Sequence, residues 1–212
     1  TAQDWLVLTG LTHNNATAVG IVMSLQFGPQ ILLLPWTGLA ADRFDRRKLL
    51  IATQAAMGVL ALTLGLLTVT GLVQLWHVYV FAFLLGCVSA FDTPARQTFV
   101  ADLVGEADLS NAVALNSTSF NAARMIGPAI AGVLIAAVGS GWVFLINATS
   151  FLPVIVSLFL LRTRKLHGDS PHSKRRTGSL LDGFAFVRTR GDLKLVFFMF
   201  FLMGTFVYNF LV

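Results

Sequence analysis

Three stretches of the chain, residues 16–41, 49–91 and 125–161, contain no Asp, Glu, Lys or Arg. A helix rises about 1.5 Å per residue, so roughly 20 apolar residues cross the hydrocarbon core of a bilayer once. The first stretch suffices for one crossing; the others are longer than one crossing needs. Turn-forming clusters divide them: Gly10, "HNNAT" at 13–17, Thr70-Gly71 and "GSG" at 139–141. Membrane helices are therefore expected near 16–41, 49–71, 74–101, 109–138 and 142–161. Residues 1–9 read as the last turns of an earlier helix, and 195–212 as the start of a later one. The chain opens on Thr1 and stops inside "FVYNFLV", so it is expected to be a piece of a longer protein.

Composition agrees with that class. Of 212 residues 56% are hydrophobic, and 18 are Phe, more apolar surface than a soluble core of this size needs. The single cysteine, Cys87, excludes an internal disulfide and a Cys-based metal site. The net charge of +5 raises nucleic acid as a partner, but the placement of the charge excludes it. All 15 Lys and Arg lie in 43–48, at Arg96, at Arg124, or in 162–194. None lies in the turns near 10–15, 70–76 or 139–141. Basic residues mark the cytoplasmic side, so loops 42–48 and 162–193 are expected inside. Residues 1–161 then form a transmembrane helix bundle, 162–193 a cytoplasmic loop, and 194–212 the start of a second bundle. Within the loop, Leu180, Leu181, Phe184 and Val187 fall at helical spacing and predict a short amphipathic helix.

The densest charge is "GLAADRFDRRKLL" at 38–50, with six charged residues in thirteen. Its plainest explanation is orientation of the two flanking helices. Its spacing is more particular: Gly38, then Asp42, Arg43, Arg46, Arg47 and Lys48, between the second and third spans. This resembles the G-x-x-x-D-R-x-x-R-[RK] signature of the major facilitator superfamily, whose loop latches the inner face of a transporter. A carboxylate such as Asp42 is suited to accept from N–H groups at a helix start, and the arginines to pair with carboxylates of neighbouring helices. Asp102, at the inner end of the fourth helix, is the expected partner of Arg43 or Arg46.

A second resemblance lies in "ARMIGPAIAG" at 123–132, similar to the antiporter-associated G-x-x-x-G-P-x-x-G-G of exporters in that superfamily. Gly127, Pro128 and Gly132 match, while Ala123 and Ala131 replace glycines. Small residues at 123, 127 and 131 allow close helix approach, and Pro128 bends the helix; packing without a transport role is the alternative. The R-x-x-x-G pattern of many drug exporters is broken, since "AFLLG" at 82–86 has Ala82 in place of the arginine. "FDTPARQTFVADL" at 91–103 and "NAVALNS" at 111–117 resemble the enterobactin-exporter-like branch. The resemblance covers essentially the whole chain. It implies an all-α integral membrane protein of the major facilitator fold: the N-terminal six-helix bundle, first helix truncated, and the start of the seventh helix.

Charges inside membrane helices cost at least about 2.5–3.5 kcal/mol and are site candidates by default. Asp4, beside Gln3 and Trp5 in the first-helix remnant, and Asp92 are the proton-coupling candidates. Asp4 is alternatively a solvated group near the outer surface, and Asp92 alternatively an i,i+4 partner of Arg96. Ser117, Asn121 and Arg124 share a helix face with Pro128 and are the substrate-cavity candidates. His167 and His172 stand in a polar loop without further ligands, and no metal or cofactor is expected. No nucleophile–base pair or phosphate-cradling loop stands out, so the chain is not read as an enzyme.

The resemblance implies a secondary active transporter of the bacterial inner membrane, monomeric and multi-pass. It would carry out proton-coupled efflux of a small hydrophobic or amphipathic compound, or a siderophore, by alternating access. Its partners would be that substrate, protons, the lipid bilayer and the C-terminal half of the same transporter, with no nucleic acid. An importer on the same scaffold, or a receptor or assembly protein retaining the fold, remains open at this point.

Overall fold

The computed structural model describes residues 2–12, 15–104 and 108–161, with the side chains of 34, 38, 39 and 41–43 outside the description. Every element among them is a helix: α1 (Ala2–Trp5), a π-helical segment (Leu6–Leu11), α2 (Ala16–Arg43), α3 (Arg46–Val69), α4 (Leu75–Leu103) and α5 (Leu109–Leu160). The amphipathic helix expected within 162–193 and the seventh-helix start at 194–212 lie outside the described residues.

At about 1.5 Å per residue, a straight α5 would be more than twice the length a bilayer needs. It is two helices, because Gly139 adopts φ 83° and ψ 162° within it. A residue without Cβ takes that conformation at little cost, which is why the break falls in "GSG". Together with α2, α3 and α4, the arms 109–138 and 140–160 make five helices long and apolar enough to span a membrane among the described residues.

Local caps set the starts. Asn15 Oδ1 accepts from the N–H groups of Thr17 and Ala18 at 3.0 and 3.4 Å, opening α2. Asp45 Oδ1 accepts from Arg47 and Lys48 N–H at 3.0 and 3.2 Å, so α3 begins at Arg46 rather than near 49. Two expectations are corrected here. The capping carboxylate is Asp45, not Asp42, and the 42–48 loop shrinks to Phe44 and Asp45 between two helix ends.

α2 packs chiefly on α4, and α3 on both α4 and α5. One core gathers Leu6, Val7, Ala18, Val22, Leu64, Val78, Ala82 and Phe144. Ala82, where many drug exporters carry an arginine, is completely buried in it. Two glycines show how closely the helices approach. A Cβ on Gly86 would lie 2.3 Å from the Gln26 carbonyl oxygen, so the α2 and α4 backbones touch there. A Cβ on Gly65 would meet Leu145 Cδ2 at 2.8 Å on the α3–α5 seam.

That seam involves the second arm of α5, whose buried residues run from Gly141 to Leu158. Among the described residues no atom comes within 4 Å of a Cβ built on Gly127 or Gly132, so the close approach expected along 123, 127 and 131 has no partner helix among them. The first arm, which carries both glycines and Pro128, buries no residue against the rest of the described bundle.

Candidate functional site

The charged knot ties three helix ends together. Arg46 Nη1 donates to both oxygens of Asp102, at 2.6 and 2.7 Å, linking the first residue of α3 to the last turn of α4. Arg47 Nε donates to the Leu158 carbonyl at 2.6 Å, and its Nη2 to the Phe159 carbonyl at 2.9 Å. These carbonyls close the second arm of α5, where a helix has acceptors without intrahelical partners and favours a cation. Three basic residues at the start of α3 run against its macrodipole. Asp45, Asp102 and the α5 carbonyls offset them. Beneath the knot, Leu50, Ala95, Phe99 and Leu158 form a second apolar cluster that fixes the three ends. Asp42 and Arg43 lie on the last turn of α2 and Gly38 one turn earlier, described by backbone alone.

A second polar group lies deeper between α3 and α4. Asp92 is 4% exposed. Its Oδ1 accepts from Gln54 Nε2 and from the Thr53 hydroxyl, both at 2.8 Å. Its Oδ2 accepts from Arg96 Nη2 at 2.6 Å, an i,i+4 ion pair. The Thr53 oxygen also lies 3.0 Å from the Leu50 carbonyl, so its one proton is shared. A carboxylate this buried is tolerable only with such a set of donors. Asp92 therefore braces the two helices.

The other candidates are separate. Asp4 is half-buried on α1 and lines an open recess with Trp5, Leu8, Ala16 and Val19. Its neighbour Gln3 is buried and donates to the Val78 carbonyl at 3.4 Å. Gln3 also lines a cavity of about 90 Å³ with Phe81, Phe144 and Asn147. Ser117, Asn121 and Arg124 are exposed on the first arm of α5, and Asn121 Nδ2 donates to the Ser117 carbonyl at 2.8 Å. The structure thus joins Arg46 with Asp102 and Asp92 with Arg96.

Three side chains and the end of α5 escaped the sequence reading. Asp45 carried a signal, an acidic residue directly before a helical run. Thr53 and Gln54 carried a weaker one, adjacent polar residues inside an uncharged span. The α5 carbonyls that receive Arg47 carried none.

Long apolar helices with most of their charge near one end, joined there by an Arg–Asp pair between consecutive helices, define a polytopic membrane protein built as a packed helix bundle. The chain belongs to the transmembrane secretion effector family of the major facilitator superfamily, which matches residues 1–211. It is 35% identical to the Staphyloferrin A transporter of Staphylococcus aureus, over 73% of this chain and 39% of that protein. It is 31% identical to the uncharacterized MFS-type transporter YfiS of Bacillus subtilis, over 87% of this chain and 46% of that one. The Enterobactin exporter EntS of Shigella flexneri is 26% identical over 84% of this chain and 42% of its own length. The chain spans less than half the length of these relatives. No solved structure matches it.

Proposed function

We propose that the chain forms the first part of a secondary active exporter. It moves a small amphipathic compound or a siderophore out of the cytoplasm in exchange for protons. The observation that carries this is the knot: Arg46 on Asp102 and Arg47 on the end of α5 join three helices at the end where the loops are basic. An ion pair between helix ends is suited to hold a bundle closed on one side and to open when the helices move. The names of two relatives, a staphyloferrin A transporter and an enterobactin exporter, support a siderophore as cargo. The bacterial relatives support a bacterial inner-membrane protein, and the placement of Lys and Arg supports 42–48 and 162–193 in the cytoplasm. Asp4 is the proposed proton carrier, while Ser117, Asn121 and Arg124 are proposed to touch substrate. Gly127, Pro128 and Gly132 are proposed to shape the helix that presents them.

Cells expressing the full-length protein should retain less enterobactin or staphyloferrin A than cells without it, and a protonophore should abolish the difference. No difference with either compound refutes siderophore export. A difference that survives the protonophore refutes proton coupling.

A further inference from the structure

We infer that Arg96 is an anion-binding point on the wall of the transport path, and that the compound carried bears a negative charge. The inference rests on the export reading above and deepens it. Arg96 lies seven residues before the end of α4, about 10 Å inside the helix end. Its side chain is 55% exposed. An arginine near a membrane surface ordinarily extends toward that surface, keeping its charge in water. Arg96 does the opposite. Its Nη2 donates to Asp92, four residues earlier in the chain, so the guanidinium is turned toward the middle of the helix and away from the charged end.

The carboxylate that turns it is itself fixed from α3 by Thr53 and Gln54. The guanidinium is thus held from two helices before any ligand arrives, which lowers the entropy cost of binding. Its remaining N–H donors take no bond among the described residues. Facing lipid would be costly for such a group. Its neighbours also argue against lipid: on the same face of α4, three and seven residues before it, Thr93 is exposed and Ser89 half-buried. A polar stripe around a tethered cation fits a water-filled path and an anionic group, such as a carboxylate or sulfonate, on an otherwise apolar compound.

The test uses two probes that differ in charge, 8-anilinonaphthalene-1-sulfonate and neutral N-phenyl-1-naphthylamine. Binding is measured by scintillation proximity on the full-length transporter in phosphatidylcholine nanodiscs, with empty nanodiscs subtracted. The sulfonate should bind at least about tenfold more tightly than the amine. Arg96→Gln should weaken the sulfonate by about ten- to a hundredfold and leave the amine unchanged. Thr93→Glu, an exposed change that leaves Asp92 and its donors in place, should weaken the sulfonate selectively as well. Sulfonate binding no tighter than amine binding in the wild type overturns the inference. Equal weakening of both probes by Arg96→Gln and Thr93→Glu also overturns it, and points to a carboxylate elsewhere in the protein as the partner of Arg96. Selective binding without export of any compound by cells refutes the export reading alone. Export without charge preference refutes the anion site alone.

Discussion

Neutralising the knot should show whether Arg46 and Asp102 act as one device. Their side chains are 32% and 19% exposed, with contacts of 2.6 and 2.7 Å. Exposed pairs contribute about 0.2–1 kcal/mol, and hydrogen bonds to charged groups about 1.5–3 kcal/mol. Partial exposure places this pair near 1–1.5 kcal/mol, about a five- to tenfold change in the balance between two bundle states. In the full-length protein, Asp102→Asn and Arg46→Gln should each lower the export rate by about that factor. The double variant should do little worse than the poorer single, giving a coupling of about 1 kcal/mol in a double-mutant cycle. The assay is the initial rate of siderophore loss from preloaded cells, normalised to transporter in the membrane. Fully additive losses would show that the two residues act separately, and the latch account would fail.

Gly86→Ala would push a methyl to 2.3 Å from the Gln26 carbonyl, so it should cost about 1–3 kcal/mol and lower the melting temperature of the detergent-solubilised protein. Gly28→Ala, with nothing within 4 Å in the described structure, should not; equal melting of the two would refute the α2–α4 backbone contact. Asp45→Ala removes the cap of α3 and should cost about 0.5–2 kcal/mol in the same assay, while Asp45→Asn keeps most of it. If Asp4 carries the coupling proton, Asp4→Asn should abolish proton-driven efflux yet leave substrate binding and downhill exchange intact. Asn121→Ala should instead weaken binding without changing the pH dependence of transport. Normal proton-driven efflux in Asp4→Asn would move the proton site elsewhere.

What the sequence made legible follows from the range of each interaction. The spans were readable because a single bilayer thickness selects uncharged runs of fixed length. "GSG" marked the break in α5 because Gly139 needs a positive φ, a property of one residue. The Arg46–Asp102 contact was readable from two charges expected at the same membrane face, although 56 residues separate them. The cross-helix satisfaction of Asp92 was not readable. Asp92 finds its α3 donors 38 and 39 residues away, and a pair of adjacent polar residues in an uncharged span does not reveal which group it will meet. The Asp42 expectation erred because a run of charge does not reveal which residue stands at the helix start. The packing expected along 123, 127 and 131 depends on a helix that is not among the described residues. Small residues permit a close neighbour but do not supply one, and the helices that bury α5 do so along its second arm.

Coupled export is tested most directly by proton movement on adding cargo. Everted membrane vesicles containing the full-length protein are energised until a pH gradient quenches acridine orange, and enterobactin or staphyloferrin A is then added. Proton-coupled export predicts rapid partial dequenching with at least one of the two, absent from vesicles without the protein and lost in Asp4→Asn. Tight binding of either compound with an unchanged pH gradient would contradict it, and would make the protein a receptor on a transporter scaffold.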